Sequence, residues 1–133
     1  MDTDSGPTGR YRGQSADERR AERRQKLLGA ALDVMGTGAG FRGSTITALC
    51  RAAGLSTRQF YEEYQNLEEV LTELYQQINL RAETAVVQAL ADADDAPFPD
   101  RIRATLHAYA AVTAADPRSA QIAYVQIIGV SPA

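Results

Sequence analysis

Three helix-start signals fall within the 26 residues from Ser44 to Glu69, and they leave room only for short helices. Ser44 precedes Ile46 and Leu49 as a natural N-cap, and Gly54 supplies the left-handed residue that stops a helix after about two turns. Ser56 then caps a second short helix, with Gln59 at the reciprocal capping-box position and Leu55 and Phe60 at the two ends of a hydrophobic staple. Asn66 and Glu69 repeat the box and open a longer helix. In the first short helix Ile46, Leu49, Ala52 and Ala53 are the expected buried side, while Phe60 is expected in the core. A chain punctuated in this way turns sharply twice and must bury its helices against others.

The flanking segments supply those others, and nothing in them reads as a strand. Ser15 with Glu18 forms a capping box for a helix whose Leu27, Ala30, Ala31, Val34 and Met35 keep the 3.6-residue spacing. It should end at Gly36, with Phe41 returning the chain to the core. After Asn66, the residues Leu67, Val70, Leu71, Leu74, Tyr75, Ile78, Ala82, Ala85, Val86, Ala89 and Leu90 make one wide apolar stripe. The acidic, proline-punctuated stretch from Ala91 to Pro99 breaks the pattern. A fifth helix should start near Asp100, with Ile102, Leu106, Tyr109 and Ala110 as its apolar face. Asp116 and Pro117 then open a sixth helix crowded with Ile122, Tyr124, Val125, Ile127 and Ile128. That helix wants cover on two sides, so a truncated chain or a partner is expected.

Composition excludes several classes. The 133 residues, 44% hydrophobic and 23% charged, suit a soluble, cytoplasmic globular chain: no stretch approaches the roughly 20 apolar residues of a membrane span, and Met1 to Gly13 is too polar for a secretory leader. One cysteine, Cys50, and one histidine, His107, lie far apart, so no disulfide, zinc site or other cofactor is implied. No convergent nucleophile or acid–base pair is visible, which argues against an enzyme. The net charge of −3 hides a division. From Arg10 to Phe60 ten basic residues face four acidic ones, whereas from Tyr61 onward four arginines face eleven carboxylates. A basic module joined to an acidic one suits a polyanion at one end.

Two short helices about a tight glycine turn can set the second in a DNA major groove while the first crosses the backbone. The residues Gly40-Phe41, Ser44-Thr45-Ile46, Leu49, Ala53-Gly54-Leu55-Ser56, Phe60-Tyr61, Tyr64, Asn66 and Glu68-Glu69-Val70-Leu71 closely resemble the N-terminal signature of TetR-family regulators. The likeness runs from about Arg24 to Leu74. It implies an all-α chain: a basic disordered tail over 1–14, a three-helix, homeodomain-like helix-turn-helix domain over 15–65, and the first helices of a ligand-binding and dimerisation domain over 66–133. It further implies a transcriptional regulator, expected to be a homodimeric repressor released from a palindromic operator by a small-molecule effector.

Site residues follow from the same resemblance. Thr45 and Tyr61 match positions that contact phosphate, and Ser56 and Asn66 cap helices whose N-termini can do likewise. Thr57, Arg58 and Gln59 project from the first turn of the recognition helix, where arginine can pair with guanine and glutamine with adenine; for Gln59 the capping role competes. Tyr75, Ile78, Asn79, Leu106, Tyr109 and Tyr124 are expected to line an apolar effector pocket. The chain departs from the family pattern at Arg58, where a small residue is common, and at Leu67, which replaces a lysine. Glu62 and Glu63 also set two carboxylates beside the expected DNA face, and Arg10 and Arg12 of the tail could restore charge there. An all-helical protein-interaction module without DNA binding is the alternative reading.

Overall fold

The computed structural model describes residues 15–129 and is all-helical over them, with no strand among the described residues. The expected tail over 1–14, with Arg10 and Arg12, and the residues from Val130 onward lie outside the described residues. Six α-helices follow in order: α1 (Ala16–Gly36), α2 (Ile46–Ala53), α3 (Thr57–Glu63), α4 (Leu67–Asp92), α5 (Phe98–Ala114) and α6 (Pro117–Tyr124), with a 3-10 turn at Gln126–Gly129. None of the described helices is long and apolar enough to cross a membrane.

Local chemistry sets most of the boundaries. The Ser15 hydroxyl accepts from Glu18 N at 3.1 Å while Glu18 Oε1 accepts from Ser15 N at 3.0 Å, completing the first box. The start of α2 differs from expectation, because Thr45 is its N-cap and accepts from Ala48 N at 3.0 Å. Ser44 instead donates its hydroxyl to Gly40 O at 2.7 Å, which pins the preceding loop. At α4, Asn66 Oδ1 accepts from Glu69 N at 2.9 Å, yet the returning carboxylate reaches Gln65 N and not Asn66 N. Asp116 and Pro117 open α6 as expected, whereas α5 begins two residues early at Phe98, on a Pro97 cap that offers no side-chain acceptor.

One core joins α1 to α4 and takes in α6. Leu27, Leu28, Ala31 and Met35 of α1 meet Leu49, Cys50, Phe60, Val70, Leu71 and Leu74, and Ile122 of α6 enters the same cluster with no exposed surface. Cys50 takes the place expected for Ala52, which is exposed. The spacing Ile46, Leu49, Cys50, Ala53 is one helical face, and Ala52 points away from it. Burial pushes the Cys50 thiol up from its ordinary pKa.

The two ends of the molecule are packed differently. α6 lies so close to α1 that a Cβ on Gly36 would stand 2.8 Å from Arg118 Cβ. Gly40, at φ +72°, lets its loop pass against Gln126, whose Oε1 accepts from Phe41 N at 2.7 Å. By contrast α5 buries no residue fully, and Phe98, Ile102 and Leu106 on it, with Leu80, Val87 and Leu90 on α4, remain exposed. The expected sixth helix is also shorter than its apolar run. It ends at Tyr124, and Tyr124, Val125 and Ile128 are about half exposed or more.

Candidate functional site

α3 is held on one side and open on the other. Gly54, at φ 74° and ψ 31°, turns the chain, and Leu55 N closes the turn onto Cys50 O at 3.0 Å. Two residues later Ser56 and Gln59 complete their box: Gln59 N donates to Ser56 Oγ at 3.1 Å and Ser56 N to Gln59 Oε1 at 2.9 Å. Phe60 is fully buried and stacks edge-on with Tyr61 and tilted with Tyr64, at ring separations of 5.2 and 5.9 Å. Rotating from Phe60 around the helix brings Thr57, Arg58 and Tyr61 onto the solvent face.

Of the seven expected DNA-contact residues, these three share one exposed face. Tyr61 is 58% exposed and the Arg58 side chain 89%, its one ion pair among the described residues being with Glu62 across one turn at 3.8 Å. Thr45, Ser56 and Asn66 are exposed caps at the starts of α2, α3 and α4. Gln59 is half-buried and occupied by the capping box, the competing role recognised in the sequence.

The charge of the first module is arranged otherwise than its sum suggests. Glu63 does not face solvent; its side chain has no exposed surface and accepts from Arg23 Nη2 at 2.9 Å and from Arg20 Nε at 3.4 Å. Arg24 donates to the Glu63 carbonyl at 3.1 Å, pairs with Glu73, and lies 4.6 Å over the Tyr64 ring. Tyr64 in turn donates its hydroxyl to Glu73 at 2.9 Å. Burial first, and the Glu73 carboxylate second, hold that phenol well above its ordinary pKa. Three arginines of the basic count are therefore partly neutralised by their own protein. Arg58, Lys26, Arg42 and Arg51 stay exposed, the last three in no ion pair among the described residues. Glu62, expected beside the same face as Glu63, is half-exposed and shared between Arg23 and Arg58.

A cavity of about 140 Å³ lies where α4, α5 and α6 converge. Ile78, Asn79 and Tyr124 line it as expected, but Tyr75, Leu106 and Tyr109 do not. Tyr75 packs against the core, Leu106 is 63% exposed, and Tyr109 lies over a shallow groove on α4 beside Asn79 and Val86. The Tyr109 and Tyr124 hydroxyls touch, so the two sites meet at that pair. Sequence reasoning missed Ser119, Ala120 and Ala123, which form the α6 wall. Their small size was the available signal, since facing alanines leave space that larger residues would fill.

Compared with known protein families, with curated proteins and with solved structures, the chain matches none.

Proposed function

We propose that the chain is a sequence-specific DNA-binding transcriptional regulator of the TetR type. In this reading α2 and α3 form a helix-turn-helix, and α3 enters the major groove. The observation that carries it is the two-sided character of α3: Phe60 and Tyr64 fix it in the core while Thr57, Arg58 and Tyr61 project together. Arg58 and Thr57 meet base edges, and Tyr61 meets phosphate with the exposed N-termini at Thr45 and Asn66. Two copies bind a palindromic operator as a homodimer, and a small effector held between α4, α5 and α6 releases them; no catalytic step is assigned.

The experiment is selection of bound sequences from random duplexes, followed by affinity at several salt concentrations. A palindromic consensus, and binding that weakens steeply with salt, are the expected results. The exposed apolar residues of α4 and α5 favour the second reading, an all-helical interaction module. Salt-insensitive or undetectable DNA binding by the folded chain would select that reading.

A further inference from the structure

We infer that the cavity between α4, α5 and α6 takes a neutral, single-ring or similarly compact organic molecule carrying one hydroxyl or carbonyl, anchored by Ser119. Its role as an effector rests on the function proposed above; its binding does not.

Size comes first. The cavity measures about 140 Å³, and a dry protein cavity of roughly 150 Å³ accepts benzene, so about six to eight non-hydrogen atoms fit. The wall is largely aliphatic, from Ile78, Ala82, Val112, Ala120 and Ala123. A flat or branched apolar body is therefore favoured over a hydrated ion.

Polarity then narrows the class. Ser119 lines the cavity and is only 8% exposed. A serine hydroxyl in the wall of an otherwise apolar cavity can both donate and accept, so a ligand hydroxyl or carbonyl can bond to it. Charge at the rim is balanced. Asp116 and Arg81 both line the opening, and Asp116 is held by Arg118 through Nε at 3.0 Å and Nη2 at 2.8 Å. A charged ligand would have to leave water for a mostly aliphatic wall, so a neutral molecule is preferred.

The same helix that forms the wall also grips the first module. Ser119, Ala120 and Ala123 face the cavity, whereas Arg118 and Ile122, on the other side of α6, meet Gly36 of α1 and the shared core. Filling the cavity presses on α6, and α6 cannot move without disturbing α1.

Isothermal titration of the whole chain with phenol, toluene, benzoate and 1-naphthol tests the assignment. Phenol should bind one to one and raise the melting temperature, with benzoate and 1-naphthol much weaker. Ser119→Ala should weaken phenol about three- to tenfold and leave toluene unchanged. Ala123→Leu should abolish both; if that variant does not fold, the Ser119→Ala contrast alone decides. No phenol binding at millimolar concentration, tighter binding of benzoate or 1-naphthol, or an unchanged phenol affinity in Ser119→Ala would overturn the proposal. Phenol binding without any change in DNA affinity would sink the effector role while leaving the binding site in place. DNA binding without phenol binding would do the reverse.

Discussion

Arg23 Nη2 stands 2.9 Å from Glu63 Oε2, joining the first turns of α1 to the last turn of α3 across forty residues of sequence. The carboxylate has no exposed side-chain surface, while Arg23 and Arg24 are partly exposed and Arg20 more so. Removing the acid leaves cations gathered about a buried gap, but solvent reaches them and softens the penalty. Glu63→Ala should therefore destabilise the chain by about 2–4 kcal/mol, toward the lower part of the range for broken buried pairs. Urea unfolding followed by circular dichroism measures it, and Arg20→Ala should lose far less.

Arg58 and Thr45 should separate reading from folding. Arg58 is exposed and, among the described residues, paired only with Glu62, so Arg58→Ala should change stability by less than about 0.5 kcal/mol. On the selected operator it should lose about 1–3 kcal/mol of discrimination at one base pair. Thr45→Ala removes the α2 cap and should lower stability by about 1 kcal/mol, with Thr45→Ser restoring most of it. Binding to single-base operator variants, beside thermal unfolding, tells the two effects apart.

Tyr64 sets an alkaline limit. Its phenol is raised above the ordinary value of 10.0 by burial and by the Glu73 carboxylate. A raised folded-state pKa means that the folded chain holds the proton more tightly than the unfolded one. The stability contributed by the protonated phenol is complete below pH 10 and falls as pH rises further. Tyr64→Phe should flatten that fall above pH 10 while losing the hydrogen bond to Glu73 at neutral pH. Ultraviolet titration should show one tyrosine ionising only together with unfolding.

Gly36 tests the approach of α1 and α6. An added Cβ would meet Arg118 Cβ at 2.8 Å and Arg118 O at 3.0 Å, so the helices must separate. Gly36→Ala should cost about 1–3 kcal/mol despite alanine's better helix propensity. Gly29, which has nothing within 4 Å of its would-be Cβ, is the control: Gly29→Ala should stabilise by up to about 1 kcal/mol. Melting temperatures of both variants settle the comparison.

The helices themselves were legible in the sequence, because caps and periodicity act within one or two turns of chain. Ser15 with Glu18, Gly54, Ser56 with Gln59, and Asp116 with Pro117 each mark a boundary through bonds to residues no more than four positions away or through a single backbone conformation. Phe60 in the core was likewise legible from its place in the hydrophobic staple, whereas Thr57, Arg58 and Tyr61 were expected on the outer face through the family resemblance. Where contacts are long-range, the sequence was silent or misleading. Glu63 reads as a surface carboxylate until α1 folds over it with three arginines, and the basic surplus of the first module shrinks accordingly. Ala120 and Ala123 look like ordinary helix formers, and only the convergence of α4, α5 and α6 turns their missing volume into a cavity. Local hydrogen bonding is written in adjacent residues; burial, charge neutralisation and empty space depend on which distant segments meet, and tertiary packing alone decides that.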